Sequence, residues 1–513
     1  MKQKMEIIEV ERRIPHGVTT VEDALTVAGF GKYNIGLLLL CSWTLQAMGM
    51  DLFGTTFVVA AAICDLQINL QERALLSAMP LVGVVVGAQL WGYISDTKGR
   101  KLTLMLSMSV GFVFGAASSF AADWRVMAVL KLISSTFTSA SNSAAYALLG
   151  ESCPSRMRGR AMLLGTIALM CAQGTVAAFA YPILPMDFSY HIGFLGINYR
   201  SWRLLGLVIS LPCAATAVLL TLVYESPKFL AAQGRYDEAL KVLKNIYRIN
   251  AGKIDGDFPI KKLHEDKDNE CVNRKESLLV SMWKQTVPLF QRPLLFRTLH
   301  LFSLVIIIYV TGSGFILWLP YIMNSLFTVL ETGASSGMNL CDVIEYSVGD
   351  QSSNVNGTLT EVCNDTIQPL TLISAVCYGA LASTSTLIMS LTCGSRKRIG
   401  IICILTFSAT AAILMNIVHV PLAGGVFFCF FLVVAVSMGI LSVYFVELYP
   451  TSVTGTVSCL SVMVGRSCAF FGANAIGAFI SHDCEATFYG WAVLLLCAAA
   501  IAWFLPKDKM NAK

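Results

Sequence analysis

Long apolar segments recur along the chain, separated by shorter polar stretches. Twelve of them reach the roughly 20 mostly apolar residues that a membrane-spanning helix needs. In lipid only helices and closed barrels satisfy the backbone, and barrel strands are about 10 residues long with alternating polarity. The pattern therefore predicts spanning helices near 35–63, 73–94, 102–122, 126–149, 161–182, 204–223, 298–323, 369–391, 399–418, 421–446, 456–480 and 488–505.

The predicted spans fall into two groups of six on either side of a polar stretch. We therefore expect an all-α membrane protein with two six-helix bundles. Within the polar stretch, helical spacing of apolar residues from Tyr236 to Ile249 predicts an amphipathic helix, which either lies on the membrane face or is a solvated connector. The predicted divisions are a segment 1–34, a bundle 35–224, a linker 225–297, a bundle 298–505 with a long loop 324–368, and a tail 506–513.

Basic residues are concentrated in alternate loops. The loops after predicted spans two, four and eight, the linker and the tail are basic, whereas the loop 324–368 has no Lys or Arg and six acidic residues. Because Lys and Arg concentrate on the cytoplasmic side of membrane proteins, both termini and the linker are expected in the cytoplasm. The loop 324–368 then faces the outside or a lumen.

The loop 324–368 carries further signs of that location. Asn356 and Asn364 each begin an N-glycosylation acceptor pattern. Cys341 and Cys363 lie in the same loop, where a disulfide would persist in an oxidising compartment. We predict glycosylation of the loop and a Cys341–Cys363 disulfide; the alternative is unused acceptor patterns and two free thiols.

Composition excludes several classes of protein. The chain is 55% hydrophobic and 13% charged, about half the 25% charge of a soluble domain, which argues against a soluble enzyme and against disorder. A net charge of +5 gives no indication of nucleic-acid binding. The sixteen cysteines contain no C-x-x-C pair and the six histidines are scattered, so we expect no metal and no cofactor. No phosphate-binding loop supports ATP-driven transport.

The two halves of the chain share a motif. The pattern Glu-x-x-Pro-x-x-x-x-Gly that begins at Glu151 recurs from Glu447, 296 residues later. At the same offset, Gly-Arg-Lys at 99–101 falls on Ser-Arg-Lys at 395–397, and the second copy lacks the equivalent of Arg158. Repeats in transporters place the substrate site between the halves, near the membrane midplane.

These loops resemble the signature motifs of the major facilitator superfamily. The segment 92–101 resembles its loop between spans two and three, and the segment 151–160 resembles its loop between spans four and five. Glu-Ser-Pro-Lys at 225–228 resembles a motif of the sugar and organic-cation branches, with Tyr224 and Lys228 as departures. The resemblance implies the major facilitator fold and gating roles for Gly92, Asp96, Gly99, Arg100, Glu151, Arg158, Glu225 and Glu447.

The superfamily packing also implies a mechanical role for these motifs. It would place Asp96 and Arg100 beside Glu151 and Arg158, where ion pairs between helix ends can hold the cytoplasmic side closed. The loop glycines would allow close helix approach and a tight turn. We expect the copy of these motifs in the second half of the chain, which lacks the equivalent of Arg158, to hold the cytoplasmic side closed less strongly. The alternative, charge-driven topology alone, explains the charges but neither the glycines nor Asp96.

A narrower resemblance is to the synaptic vesicle glycoprotein 2 branch. Asp51 in span one, Trp91-Gly92, Gly465-Arg466 and the cysteine-bearing loop 324–368 carry it. That branch usually has a longer outer loop, so a role carried by that loop is not implied for this chain.

Arg466 lies midway along predicted span eleven, where we expect it to brace neighbouring helices or to pair with Glu447 rather than to serve a pathway. Two other ionisable side chains lie deep in predicted spans, Asp51 in span one and Lys131 in span four. Such residues mark functional sites by default, because burying charge in lipid is costly. Polar positions at helical spacing extend both into stripes, which include Thr44, Thr55, Thr138 and Asn142. These stripes face a cavity or pack on another helix. Because the resemblance implies that spans one and four line a central cavity, we expect Lys131 to face Asp51 there. Either the two form a resting structural ion pair, from which a proton or a cationic substrate must displace the lysine, or Asp51 is free to bind a proton or a cation directly.

The sequence therefore predicts a secondary transporter that moves a small solute, an organic cation or another organic ion, by alternating access. The alternative is a non-transporting vesicle or plasma-membrane glycoprotein that keeps the fold and acts as a binding or trafficking partner. We expect a monomer in the lipid bilayer of the plasma membrane or of intracellular, synaptic vesicles.

Overall fold

The structure is a computed structural model, and it describes residues 18–251, 258–263, 287–292, 294–333, 337–353, 367–392, 397–449, 451–480 and 482–506. Asn356, Asn364 and Cys363 lie outside these ranges, and the side chain of Glu447 is likewise outside the description. What the sequence predicts for their side chains stays a prediction.

In the described ranges, eleven helices are long and apolar enough to cross a membrane. A further span consists of two shorter helices, so the predicted all-helical architecture of two six-helix bundles is confirmed. In chain order the spans are Lys32–Ala61, Leu70–Lys98, Arg100–Ser118, Trp124–Thr138 with Ser141–Glu151, Ser155–Ile183, Ser201–Leu219 with the 3-10 turn Leu220–Leu222, Leu295–Glu331, Pro369–Thr392, Lys397–Ile417, Pro421–Phe431 with Leu432–Val436 and Ser437–Leu448, Thr451–Ile480, and Cys484–Trp503.

Span four is broken, whereas the sequence predicts one continuous helix there. The break lies at Ser139 and Ala140. The amides of Ala140 and Asn142 bond to carbonyls three residues back rather than four. The Ser135 hydroxyl bonds to the Lys131 carbonyl, and hydroxyls that bond back to the preceding turn bend helices. The run of Ser and Thr that makes this span polar therefore also interrupts it.

Local sequence sets where several spans begin. Asn69 caps span two by accepting a hydrogen bond from the Glu72 amide, and the Glu72 carboxylate accepts one from the Asn69 amide. Asp123 and Asp483 cap spans four and twelve with their side chains. Each cap satisfies a backbone donor that the first turn of a helix leaves open.

The first bundle comprises spans one to six and the second spans seven to twelve. They meet along spans two and eleven and along spans five and eight. Glycine permits the second contact, since a Cβ on Gly379 of span eight would lie 2.9 Å from the Cα of Gly174 in span five. Small residues at such positions let helix backbones approach closely. An apolar core includes buried residues of both bundles, among them Phe57, Trp202 and Phe315.

A layer of short elements covers the end of the first bundle that carries Gly99, Glu151 and Glu225, which we call the motif end. It consists of the helices Val21–Ala28, Pro227–Ala232 and Tyr236–Ala251 and of the parallel strands Val18–Thr19 and Lys262–Leu263. Leu25 and Leu243 are buried in its apolar cluster. The linker helix thus packs on the protein rather than standing free as a solvated connector.

The opposite end of the molecule carries a disulfide, and we call it the disulfide end. Cys341, at the start of the helix Leu340–Ser353, is bonded to Cys484 at the start of span twelve, with a Cα–Cα distance of 5.4 Å. The predicted pairing of Cys341 with Cys363 is therefore wrong. The helix packs against spans nine, ten and twelve, a long-range contact that loop spacing does not reveal. The other elements there are Ile63–Leu66 and the hairpin Tyr190–Ile192 with Ile197–Tyr199.

Candidate functional site

Asp51 and Lys131 form an ion pair inside the first bundle. The Lys131 ammonium donates to Asp51 Oδ1 at 3.1 Å. Asp51 Oδ2 accepts from the Ser134 hydroxyl at 3.1 Å and from the Thr138 hydroxyl at 3.2 Å. Asp51 is 2% exposed and Lys131 1%. One carboxylate thus receives three donors from one face of span four, as helical spacing allows.

This pair is enclosed by four helices of one bundle. A Cβ on Gly115 of span three would lie 3.9 Å from Asp51 Oδ1 and 3.3 Å from the Ser210 Cβ of span six. Ser134 also donates to the Gly111 carbonyl of span three. The ion-pair alternative for Asp51 and Lys131 is therefore the one that the structure shows, but the pair lies inside the first bundle and not across a cavity between the bundles. Glycines in span three make room for the pair, a feature that the polar stripes alone do not indicate.

The other predicted polar residues have more local roles. The Thr44 hydroxyl donates to the Leu40 carbonyl and the Thr55 hydroxyl to the Asp51 carbonyl, both within span one. Asn142 is partly exposed, and among the described contacts none joins its side chain to Asp51. Of these four residues, Thr138 alone contacts the Asp51 carboxylate.

The two charges of the pair compensate each other. Removing one partner of a buried ion pair typically costs about 3–5 kcal/mol, because the other charge is left uncompensated. The contact between span one and span four therefore depends on both charges.

At the motif end, Arg100 joins three helices. Its guanidinium contacts Asp96 at 2.9 Å and Glu151 at 3.0 Å, and Nη1 donates to the Ser95 carbonyl. Glu151 also accepts a hydrogen bond from the Ser226 hydroxyl, just after span six. The predicted cluster of Asp96, Arg100 and Glu151 is present.

Glu225 caps the N-terminus of span three. Its carboxylate accepts hydrogen bonds from the amides of Arg100 and Lys101 at 3.0–3.2 Å. A carboxylate at this position also interacts favourably with the helix dipole. Gly99 has φ +106°, and a Cβ there would lie 2.4 Å from Glu225 Oε2. Only glycine fits both the backbone conformation and the cap.

Two motif residues differ from expectation. Arg158 does not join the Arg100 cluster; it pairs with Glu22 of the N-terminal helix at 2.7 Å and donates to the Gly150 carbonyl at 2.8 Å. Glu22 also contacts Lys228. A Cβ on Gly92 would meet no atom within 4 Å, so its predicted role in close helix approach is wrong. Gly83, nine residues earlier in span two, permits the close approach to span four instead: a Cβ there would lie 2.1 Å from the Ser135 hydroxyl oxygen.

Asn250 ties the linker helix to the first bundle. Its Oδ1 accepts from the Tyr33 amide, and its Nδ2 donates to Asn34 Oδ1 at 2.8 Å. Asn34 in turn donates to the Ser152 carbonyl and the Cys153 thiol. Burial raises the pKa of Cys153, although the hydrogen bond from Asn34 lowers it in part. The linker, span one and the loop after span four form one polar network.

A small polar cavity lies between the two bundles towards the disulfide end. Its wall includes Arg73 and Ser77 of span two and Trp318 and Tyr321 of span seven. The Arg73 guanidinium lies 4.6 Å from the centre of the Tyr321 ring, within the range of cation–π attraction. The Trp318 indole donates to the Ala473 carbonyl of span eleven. The cavity thus brings together residues of both bundles.

Two polar residues, Arg73 at the cavity and Gln173 in span five, are not among the residues that the sequence analysis singles out. Arg73 is in the first turn of span two, where a sequence reading treats a cation as a boundary residue. Gln173 of span five is 2% exposed, and neither polar atom of its amide has a hydrogen-bond partner among the described residues. Its neighbour Ala172 contacts Gly49 of span one, and its neighbour Gly174 contacts Gly379 of span eight. The sequence signal for Gln173 is that a glutamine occurs within an otherwise apolar stretch of span five.

Comparison with known proteins agrees with this architecture. A sequence profile of the sugar (and other) transporter family matches residues 55–332. Synaptic vesicle glycoprotein 2C of Mus musculus is 26% identical over 340 residues, covering 62% of this chain and 47% of that protein. Synaptic vesicle glycoprotein 2B of Homo sapiens is 29% identical over 248 residues, covering 48% of this chain and 35% of that protein. The matches span less than half the length of these relatives.

Solved structures show the same fold. The xylose transporter XylE from E. coli, in a partially occluded inward open conformation, has a TM-score of 0.62 at 16% identity, covering 93% of this chain and 100% of that one. A D-xylose-proton symporter has a TM-score of 0.63 at 15% identity, covering 93% and 99%. At this identity the likeness concerns the arrangement of the helices.

Proposed function

We propose that this chain, which belongs to the sugar (and other) transporter family, carries a small polar solute across a membrane by alternating access. The family is one of multi-pass membrane transporters rather than enzymes. Two bundles that meet through small residues, with a polar cavity between them, suit a rocking motion about a site between the halves. Gln173 of span five, whose buried amide has no partner among the described residues, adds a polar group next to Gly174, which contacts span eight.

The Asp51–Lys131 pair is the observation that carries the proposal. We assign to Asp51 the binding of a coupling proton, because an intramembrane carboxylate usually marks an ion pathway. The pair lies within one bundle with its donors in place, which favours a proton over an organic cation as the occupant. A proton on Asp51 weakens its hold on Lys131, so span one and span four can shift relative to each other. The Arg100 cluster at the motif end then opens and closes with that shift.

We place the motif end in the cytoplasm and the disulfide end outside or in a lumen. The basic loops support this orientation, and a disulfide persists in oxidising compartments. Similarity to synaptic vesicle glycoproteins supports a vesicle membrane or the plasma membrane as the location. We expect a monomer, with the path enclosed by the two bundles of one chain.

The test is proton movement in proteoliposomes that contain the purified protein and an internal pH dye. Each member of a solute library is added outside, and internal acidification reports coupled uptake. We expect at least one solute to acidify vesicles with the wild type and not with Asp51→Asn. Asp237→Asn, which removes an exposed carboxylate of the linker helix, is the matched control and should behave as the wild type.

Two results would contradict the proposal. Solute uptake by Asp51→Asn at the wild-type rate from pH 5 to 8 would remove Asp51 from coupling. Binding of solutes without any flux would favour the alternative, a binding or trafficking protein with a transporter fold.

A further inference from the structure

Buried cations within the spans differ in whether the fold gives them a partner. Lys131 has Asp51. Arg203 of span six is buried, and its Nη1 donates to the Ser119 and Ala121 carbonyls just beyond the C-terminus of span three, where a helix dipole favours positive charge. Both residues have a structural explanation.

Arg466 of span eleven has a cation–π contact with Tyr309 but no hydrogen bond or ion pair among the described contacts. It is 7% exposed, and its Nε and Nη1 have no hydrogen-bond partner among the described residues. Its guanidinium lies 5.5 Å from the centre of the Tyr309 ring of span seven. Leaving a buried polar group without a hydrogen bond is costly, and for a charged group more so. Native structures rarely keep such a group unless it has a function or an absent partner.

Arg466 lies on the same helix face as the wall of the polar cavity. Ala473, which lines the cavity, is two helical turns further along span eleven, and positions seven apart share a face. Arg466 is near the middle of Thr451–Ile480, whereas Arg73 is in the first turn of span two, beside the cavity. Arg73 thus lines the cavity, and Arg466 lies nearer the middle of the membrane on the helix face that carries Ala473.

The charged side chain in the described lining of the cavity is Arg73. The described lining of the cavity includes no Asp or Glu. The Asp51 carboxylate is engaged by Lys131 inside the first bundle and does not offset either arginine. A guanidinium with unpartnered N–H donors can hold a carboxylate through charge-assisted hydrogen bonds, whereas it repels a cation.

We infer that the solute carries a negative charge, as a carboxylate or a similar oxyanion, which Arg466 binds between the bundles while Arg73 attracts it at the disulfide end. This inference rests on the proposed transport function and names the class of its substrate. It narrows the sequence-based expectation, an organic cation or another organic ion, to an anion.

The test uses ligand-induced stabilisation of the purified full-length protein. The probes are matched triplets that share one carbon skeleton, namely C2 to C8 carboxylates, their primary amides and the corresponding amines, together with sodium phosphate and sodium chloride. We expect carboxylates to raise the midpoint of thermal unfolding and the matched amides and amines not to. Arg466→Gln should weaken the apparent affinity by about tenfold or more, the effect of losing a charge-assisted hydrogen bond.

Three variants sharpen this test. Arg466→Lys keeps the positive charge but removes the planar guanidinium, and it should retain part of the affinity. Arg73→Gln should weaken binding less than Arg466→Gln, and it carries the test if Arg466→Gln does not fold. Arg235→Gln removes an exposed cation that pairs with Glu238 and should leave the affinity unchanged. Stabilisation by phosphate as strong as by carboxylates, lost in Arg466→Gln, would identify an inorganic oxyanion as the ligand.

Several results would overturn the inference: equal stabilisation by amides or amines, no stabilisation by any of the anions, or unchanged carboxylate affinity in Arg466→Gln. Because stabilisation needs no flux, this outcome is separate from that of the transport proposal. Binding of anions without flux would refute transport alone, whereas proton-coupled flux of neutral solutes would refute the anion inference alone.

Discussion

At the scale of single residues, burying a carboxylate and an ammonium group as a pair costs less free energy than burying either charge without its partner. Lys131→Met would leave Asp51 charged in a site enclosed by Ser134 and Thr138. We expect this variant to lose about 3–5 kcal/mol of stability, and Asp51→Leu combined with Lys131→Met to regain most of it, since apolar replacement of a whole pair is often neutral. Thermal unfolding in detergent measures both. Equal losses in the single and double variants would mean that the two residues do not act as a unit.

Two glycines of one loop motif offer a matched comparison. Gly99→Ala requires a left-handed backbone and places a Cβ 2.4 Å from Glu225 Oε2. We expect a loss of about 1–3 kcal/mol from the strained conformation alone, plus disturbance of the cap on span three. Gly92→Ala meets open space and should be neutral or slightly stabilising, because alanine favours helix. Similar unfolding midpoints for the two variants would contradict this assignment.

At the scale of elements, the sequence could predict whatever depends on local pattern. Hydrophobic length located the spans, and helical spacing located the linker helix. The partner of Cys341 could not be found this way, because it is set by how the helix Leu340–Ser353 packs on span twelve, 143 residues along the chain from one cysteine to the other. The roles of Arg73 and Gln173 depend on the contact between bundles. Gly92 and Gly83 look alike in sequence, and only packing separates them.

The disulfide is a direct check on that long-range packing. A non-reducing digest should yield a cross-linked pair of peptides that contain Cys341 and Cys484. Cys341→Ser should lower stability by about 4–5 kcal/mol in the chain-entropy view of a loop this long. Cys213→Ser, at a buried free thiol, is the control for removing a cysteine. Recovery of Cys341 in its free form, without reduction, would contradict the pairing.

Besides the apolar face that buries Leu25, the N-terminal helix is held at the motif end by ion pairs of one side chain. Glu22 bridges Arg158 of span five and Lys228 after span six. Half-exposed ion pairs contribute about 0.2–1 kcal/mol each, so Glu22→Gln should speed amide exchange in 21–28 roughly two- to tenfold by local opening. Glu238→Gln, which breaks an exposed pair with Arg235, should leave exchange in that helix unchanged. If both variants exchange alike, the helix is held by its apolar face on Leu243 instead.

At the scale of the whole molecule, the two proposals fix the charge moved in each cycle. A proton taken up at Asp51 and a monovalent anion held by Arg466 sum to zero net charge, provided that one of each crosses together. Coupled uptake should then be driven by the pH gradient and be insensitive to the membrane potential, whereas a proton moving with a cation or a neutral solute would carry current. Moving one charge through 100 mV is worth about 2.3 kcal/mol, so the two cases differ by about fiftyfold in accumulation. Potassium-loaded proteoliposomes with valinomycin set the potential, and the anion accumulated at a fixed pH gradient is measured. Accumulation that rises steeply with an inside-negative potential would refute the pairing of one proton with one anion, even where transport itself stands.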